Sequence, residues 1–169
     1  MELNEEIGKE RLNFLEEIIT MQKLMGLVRR CVDDYNMIEA GDRIAVGVSG
    51  GKDSLVLLCA MNHLKRFYPK KFELEAITIE LGFEDMDFGP VEELCRSLDI
   101  PYVRIKTDIR EIVFDVRKED NPCALCAKMR RGMLCDHAKE LGCNKLALGH
   151  HRDDATETLL MSLIFEGRL

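Results

Sequence analysis

Apolar residues follow two alternating patterns along this chain, and their order predicts an α/β fold. Short apolar runs that are typical of buried strands occupy residues 44–48, 74–80, 102–106 and 145–148. Apolar positions at three- and four-residue steps, typical of helices, occupy residues 53–67, 89–98, about 123–141 and the stretch from 153 onward. Because strands and helices alternate, we expect a doubly wound parallel sheet of order 3-2-1-4 with helices on both faces.

The N-terminal part of the chain has a different pattern. Apolar residues recur at helical steps from Ile7 to Tyr35, which predicts one or two amphipathic helices. We therefore divide the chain into an N-terminal helical segment, residues 1–36, and an α/β domain, residues 37–169. The N-terminal helices could cover the sheet, form a homodimer contact or remain a loosely held arm.

Composition limits the class of protein. The chain has 169 residues, 46% hydrophobic and 33% charged, which is the balance of one globular domain. No apolar stretch reaches the roughly 18 to 20 residues of a membrane span, and the first residues are acidic where a signal peptide is basic. We expect a cytoplasmic protein without a membrane partner, whose seven cysteines are reduced thiols.

The formal net charge of −7 gives no overall attraction to nucleic acid. Any binding of RNA must therefore rest on local basic patches. Two such patches are Lys65, Arg66, Lys70 and Lys71, and Lys128, Arg130 and Arg131. Each patch taken alone is also compatible with a solvated helix face.

The hexapeptide Ser49-Gly50-Gly51-Lys52-Asp53-Ser54 lies between the first predicted strand and the following helix. Adjacent glycines let backbone N–H groups approach phosphate oxygens, the helix start is electropositive, and Lys52 adds a mobile cation. A Walker loop is excluded because Asp53 follows the lysine, and the G-x-G-x-x-G spacing is absent. The pattern predicts a pyrophosphate-binding loop, with an ordinary glycine-rich turn as the alternative.

A second polar motif, Gly149-His150-His151-Arg152-Asp153-Asp154, follows the fourth predicted strand. In the predicted strand order it lies beside the first loop, at the carboxyl ends of the strands where such sheets bind ligands. Carboxylates at Asp153 and Asp154 could hold Mg²⁺ beside a triphosphate. The alternative is a helix N-cap, which explains one aspartate better than two.

A third motif, Cys123-Ala124-Leu125-Cys126, opens a predicted helix. A C-x-x-C at a helix start brings two sulfurs to one site, where the dipole favours metal-binding thiolates. Zinc would need two more ligands, and a thioredoxin-like dithiol belongs after the first strand, where the phosphate loop lies instead. These alternatives stay open.

Together the three motifs resemble the tRNA 2-thiocytidine synthetase family, within the PP-loop ATP pyrophosphatases. The resemblance runs from about Met21 to the end of the chain and includes Arg130-Arg131-Gly132 after the cysteines and Glu157-Thr158-Leu159 in the last helix. It implies an adenine-nucleotide α-hydrolase-like fold, ATP with Mg²⁺, a [4Fe-4S] cluster and thiolation of a tRNA cytidine. It also implies a sulfur donor such as a cysteine desulfurase.

The resemblance assigns roles residue by residue. Lys52, Arg130 and Asp154 are the expected catalytic groups, Asp153 and Asp154 the expected magnesium ligands, and Cys123 and Cys126 the expected cluster ligands. The nucleotide-binding residues are expected to be Ser49, Gly50, Gly51, Lys52, Asp53, Ser54, Gly149 and His150.

The resemblance also implies a fifth strand and a third cluster cysteine beyond the last helix, and both are missing from the sequence. A C-terminally incomplete domain is the simplest interpretation. Alternatively, Cys135 or Cys143 is the third ligand, or the cluster is absent. Two rival functions are a tRNA lysidine synthetase-like or other amidating enzyme of the same superfamily, and a non-catalytic ATP-binding module.

Overall fold

The computed structural model describes residues 21–83, 86–118 and 121–167, and a four-stranded parallel sheet forms its centre. The strands are β1 (Arg43–Gly47), β2 (Glu73–Glu80), β3 (Tyr102–Lys106) and β4 (Lys145–Ala147). Their order across the sheet is β3-β2-β1-β4, and each neighbouring pair is parallel. The predicted fold class and strand order are confirmed.

Helices connect the strands. They are α1 (residues 21–34), α2 (Lys52–Phe67), α3 (Gly89–Ser97), α4 (Pro122–Glu140) and α5 (Arg152–Met161). The helical pattern predicted before residue 21 lies outside the described residues. Within the described ranges, no helix combines the length and the apolar character needed to cross a bilayer.

Two π-helical segments, Glu111–Arg117 and Ser162–Glu166, complete the described structure. The first lies in a stretch for which the apolar pattern gave no clear element. Ile109 and Val113 are buried, but Phe114 and Val116 are exposed, so apolar residues face both the core and the solvent. This mixture obscures the periodicity on which a sequence-based assignment depends.

The sheet has an apolar layer on each face. Ile44 and Val46 of β1 point to one layer, which helices α1, α2 and α3 cover, and Ala45 points to the other, which α4 and the first π-helical segment cover. Alternate side chains of a strand face opposite sides, so a strand buried on both faces is mostly apolar. From α1, Val28 and Val32 pack in the first layer.

A polar network joins β1 to β4 at the amino ends of the strands. Asp42 is 4% exposed, and its carboxylate accepts hydrogen bonds from Lys145 Nζ, Asn144 Nδ2 and the backbone N–H of Glu39, each 2.7 Å away. The hydrogen bond from Lys145 is the main cause that lowers the pKa of Asp42 to about 2, against the effect of burial. The network therefore stabilises the fold while Asp42 is ionised.

We expect Asp42→Asn to lower the free energy of unfolding by about 2 kcal/mol at pH 7, because the variant leaves Lys145 without its buried partner. The pKa of Asp42 is lower in the folded than in the unfolded chain, so the contribution is complete above about pH 5. It is lost as the pH falls from about 4 to 2. Urea unfolding of both proteins across this range measures the difference.

Asp136→Asn, a change at an exposed residue of α4, serves as the control and should leave the free energy of unfolding almost unchanged. A difference between Asp42→Asn and the wild type that stays constant down to pH 2 would contradict the assigned role of Asp42.

Candidate functional site

Two hydrogen bonds, one at the carbonyl oxygen of Val48 and one at the N–H of Ser49, hold the loop after β1. Thr78 Oγ1 donates to the carbonyl oxygen of Val48 at 2.7 Å, and the N–H of Ser49 donates to Ser54 Oγ at 3.2 Å. Ser54 Oγ also donates to the carbonyl oxygen of Gly51 at 2.8 Å. Two hydroxyl groups therefore fix the orientation of the Val48–Ser49 peptide and close the loop on the start of α2.

The turn itself needs glycine. Gly50 has φ +82°, in the left-handed region that favours glycine, and the extended Gly51 is the N-cap of α2. Gly51 has no side chain with which to cap the helix, so the first-turn N–H groups of α2 are not occupied by a side-chain acceptor. These N–H groups and the helix dipole together favour an anion at this position.

Lys52 is free to reach a ligand. Its side chain is 85% exposed, and its ammonium lies 3.6 Å from the carboxylate of Asp53, an exposed pair that contributes little to stability. The sequence predicted a mobile cation at this position, and the geometry is compatible with that role.

A chain of hydroxyl groups supports the loop from below. Tyr102 OH donates to Thr78 Oγ1 at 2.9 Å, and Thr78 in turn donates to Val48. Thr78 is 1% exposed, so this carbonyl bond is shielded from water. Sequence reasoning missed both residues; the available signal was Thr78, a hydroxyl residue between Ile77 and Ile79 in the apolar half of β2.

The second motif meets the first. Gly149 follows β4, and a Cβ atom added to it would lie 2.9 Å from the backbone nitrogen of Ser54 and 3.0 Å from the carbonyl carbon of Asp53. Such distances are too short for a real side chain, so the two backbones touch. The structure thus brings together two segments that are about a hundred residues apart in the sequence, as the strand order predicted.

The start of α5 forms a capping box. His151 is the N-cap; its Nδ1 accepts from the N–H of Asp153 at 3.3 Å, and its own N–H donates to Asp154 Oδ2 at 2.7 Å. This backbone bond is the main cause that lowers the pKa of Asp154, and His151 and His150 add to it. Asp153, by contrast, is exposed, and its carboxylate lies 3.9 Å from Arg152.

The capping box bears on the two interpretations of Asp153 and Asp154, as magnesium ligands or as a helix N-cap. Asp154 does satisfy a backbone donor, as the structural alternative proposed, but it acts at the third helical position rather than as the N-cap. The ionised carboxylate has a second oxygen, and Asp153 is exposed. Both carboxylates therefore retain oxygens that could face a cation.

The cysteine pair lies beyond the same edge of the sheet. An added Cβ on Gly47, the last residue of β1, would be 2.9 Å from Leu134 of α4, which places Leu134 level with the carboxyl end of β1. Helix α4 leads into the amino end of β4, and β4 is parallel to β1. The N-terminus of α4 therefore lies beyond the carboxyl ends of these strands. By helical rise, Cys126 and Cys123 lie about 12 and 16 Å further along α4.

Local geometry fixes the start of α4. Pro122 occupies the first helical turn, and Asn121 Oδ1 accepts from the N–H of Ala124 at 3.1 Å, a conventional cap. Cys123 is exposed and Cys126 is half-buried against the layer formed by α4 and the first π-helical segment. Three residues apart on a helix, the two thiols share one face.

The other two candidate cysteines lie elsewhere. Cys135 is nine residues beyond Cys126 on α4, about 13 Å by helical rise. Cys143 is buried near the amino ends of the strands, where burial raises the pKa of its thiol. Among the described residues, no group of three or more cysteine, histidine or acidic side chains is arranged to hold a metal ion.

The basic residues Lys128, Arg130 and Arg131 are exposed on α4. The two principal cavities do not include any predicted site residue. The larger, about 420 Å³, is lined by Arg96, Tyr102 and Arg104 among others, and the smaller, about 200 Å³, lies between α1 and α2. Neither of these two cavities lies at the loop from Ser49 to Ser54.

A doubly wound sheet with an anion-favouring loop after its first strand defines the class of α/β domains that bind phosphate groups at a strand-to-helix turn. A family model described as a PP-loop domain matches residues 20–168. The chain belongs to this PP-loop family.

Similar proteins extend the comparison. The chain is 41% identical over 159 residues to a tRNA-cytidine(32) 2-sulfurtransferase of Geobacter sulfurreducens, covering 94% of this chain and 62% of that protein. It is 40% identical over 149 residues to a protein of the same name from Anaeromyxobacter dehalogenans, covering 88% and 51%. The chain therefore spans about half to three fifths of the length of these relatives.

Among solved structures, the U34-tRNA thiolase of Methanococcus maripaludis with its [4Fe-4S] cluster has a TM-score of 0.68 and 30% sequence identity. The match covers 79% of this chain and 46% of that one. The shared fold confirms the adenine-nucleotide α-hydrolase-like architecture expected from the resemblance.

The contact between Gly149 and Ser54 can be tested by adding one methyl group. We expect Gly149→Ala to lower the free energy of unfolding by about 1–3 kcal/mol, because its Cβ would overlap backbone atoms that cannot rotate away. Gly132→Ala on α4 is the matched control: its Cβ meets nothing within 4 Å, and alanine should stabilise the helix by about 0.5–1 kcal/mol. Urea unfolding should therefore give changes of opposite sign, and a neutral Gly149→Ala would contradict the close contact.

The support from Thr78 is open to a separate test. We expect Thr78→Val to lower the free energy of unfolding by about 1–3 kcal/mol and to speed amide hydrogen exchange at residues 49–51, because the Val48 carbonyl loses its donor. Thr107→Val removes a similar bond, from Thr107 Oγ1 to the carbonyl oxygen of Glu80 at 2.7 Å, without touching the loop. Equal exchange of residues 49–51 in the two variants would refute a specific role for Thr78.

Proposed function

We propose that this chain is the ATP-activating domain of an enzyme that thiolates tRNA to give 2-thiocytidine. The observation that carries the proposal is the packing of Gly149 on Ser54, which joins the two polar motifs into one edge of the sheet with the cysteine pair beyond it. The names of the relatives, tRNA-cytidine(32) 2-sulfurtransferase, support the same activity, and so does the thiolase with the shared fold.

ATP binds with its phosphates on the loop from Ser49 to Ser54. Backbone N–H groups at the start of α2 and the hydroxyl of Ser49 donate to phosphate oxygens, and the exposed Lys52 moves to balance their charge. Gly149 leaves room for the two loops to approach, and His150 lies next to the same edge. These contacts hold the α-phosphate where a nucleophile can reach it.

Magnesium fits the donor set in this site. Mg²⁺ prefers oxygen ligands and is usually held by one or two carboxylates together with substrate phosphates. Asp154, whose pKa is lowered by the backbone hydrogen bond from His151, supplies an ionised carboxylate, and Asp153 is exposed beside it. We assign the ion to these two residues, where it would offset the charge on departing pyrophosphate.

The first chemical step forms an adenylate. The 2-carbonyl oxygen of cytidine attacks the α-phosphorus of ATP, the bond to the bridging oxygen breaks, and pyrophosphate leaves with that electron pair. Lys52 stabilises the charge that develops on the leaving group. A sulfide then adds to C2 and AMP departs with the former carbonyl oxygen, so no oxidant or reductant is consumed. Arg130 is proposed to hold a phosphate of the nucleotide or of the RNA.

The described residues fit a [4Fe-4S] cluster only in part. Cys123 and Cys126 have the spacing and position of two ligands. Cys135 and Cys143 lie too far from this pair to complete the set of ligands. We therefore assign the two cysteines to the sulfur-transfer step that follows adenylation.

The partners follow from this chemistry. They are tRNA and a sulfur donor such as a cysteine desulfurase, and a homodimer remains a prediction that rests on the N-terminal segment. An amidating enzyme would use the same ATP loop without the cysteine pair, so the relatives' names and these thiols favour thiolation.

The test separates ATP activation from sulfur transfer. With unmodified tRNA, ATP and sulfide, the complete enzyme that contains this domain should release pyrophosphate and form 2-thiocytidine, detected by mass spectrometry of the nucleosides. Lys52→Ala should lower tRNA-dependent pyrophosphate release by about 10²–10³-fold. Cys123→Ser should abolish 2-thiocytidine yet retain pyrophosphate release, because the cysteines act after adenylation.

Two exposed residues give the matched controls. Lys139→Ala, in the last turn of α4, and Cys31→Ser alter the same residue types away from the carboxyl edge and should leave both products unchanged. Binding of ATP without tRNA-dependent pyrophosphate release would indicate a nucleotide-binding module instead. Full thiolation by Cys123→Ser would refute the role of the cysteine pair.

A further inference from the structure

Two aromatic rings form an exposed pair that the proposed chemistry does not use. The centroids of Phe83 and Phe114 are 6.2 Å apart at 67° in an edge-to-face contact, and the residues are 43% and 41% exposed. The contact fixes the two rings relative to each other, while large parts of both stay in water.

The pair lies at the carboxyl edge of the sheet. Phe83 follows β2 by three residues, and Phe114 belongs to the π-helical segment Glu111–Arg117 after β3. The phosphate loop follows β1, which is the neighbour of β2 in the sheet. The aromatic pair and the loop from Ser49 to Ser54 are therefore on the same side of the molecule.

The backbone beneath the rings is firmly held. The N–H of Arg110 donates to the carbonyl oxygen of Leu81 at 2.9 Å, and Gly82, with φ +88°, approaches the carbonyl oxygen of Thr107 closely. Val113, next to Phe114, is completely buried. The rings are thus presented on a rigid base, which keeps the entropic cost of a contact small.

The helix that the π-helical segment contacts carries basic residues. The π-helical segment contacts α4, whose stretch from Asn121 to Cys135 holds Lys128, Arg130 and Arg131 and no acidic residue. The three basic side chains are exposed, in a chain whose net charge is −7. Such a combination of exposed aromatic rings with a local basic surface is typical of binding to single-stranded nucleic acid.

We propose that Phe83 and Phe114 form a stacking platform for an unpaired base of the tRNA substrate, while the basic residues of α4 contact the adjoining phosphates. This inference rests on the proposed function, because it names how the same site receives its RNA. Cys126 packs against the apolar layer that also contains Val113, the neighbour of Phe114 in the chain. A base stacked there lies on the edge where both adenylation and sulfur transfer are assigned.

The test replaces each ring and keeps its apolar character. Phe83→Leu and Phe114→Leu are titrated with a fluorescently labelled anticodon stem-loop, and each should raise the Kd about 5- to 150-fold, the effect of one lost base–aromatic stack. The Kd for ATP should stay within about twofold. Tyr35→Leu is the matched control: Tyr35 is 73% exposed at the end of α1, directly after Asp33 and Asp34, and its loss should leave RNA binding unchanged.

The outcomes separate this inference from the proposed function. Unchanged RNA affinity in both variants would overturn the platform, and weaker ATP binding with unchanged RNA binding would overturn it by assigning the rings to adenine. If Phe114→Leu fails to fold, as judged by circular dichroism, Phe83→Leu decides alone. A complete enzyme that needs both rings for RNA binding but forms no 2-thiocytidine would contradict the proposed function and support the platform.

Discussion

The close contact between the backbones of Gly149 and Ser54 is the constraint on which the candidate site depends. It exists because β4 lies beside β1 and because glycine has no Cβ to keep the two loops apart. The phosphate loop supplies backbone donors and a cation, and the loop after β4 supplies carboxylates. In the proposed function a metal–nucleotide complex contacts both sets, so the packing of β1 beside β4 determines whether the two sets can act together.

The opposite edge of the sheet has a complementary role. There Asp42 binds Asn144 and Lys145, so β1 and β4 are joined at their amino ends by charge and at their carboxyl ends by close packing. Two dissimilar interactions thus fix the spacing of the same pair of strands. Any movement that closes the site over its substrates must come from segments other than these two strands.

Much of the fold could be predicted from the sequence because the strands are buried on both faces and the turns between elements carry glycine or proline. β3 was predicted with its observed bounds, and the ends of the other strands differ by one residue. The strand order followed from right-handed crossovers, and it correctly brought the two polar motifs together. The π-helical segment Glu111–Arg117 could not be predicted, since apolar side chains such as Phe114 face solvent there.

The site was harder to predict where it depends on contacts between distant residues. Nothing in the pattern of β2 shows that Thr78 bonds to Val48, because a hydroxyl in a strand has many possible acceptors. That bond has a consequence for affinity. With the Val48–Ser49 peptide already fixed by the folded chain, the conformational entropy of the turn, about 1–2 kcal/mol per residue, is lost during folding and not on ligand binding. A phosphate ligand therefore binds a preorganised loop, and the main entropic cost of binding is the loss of the ligand's own motion.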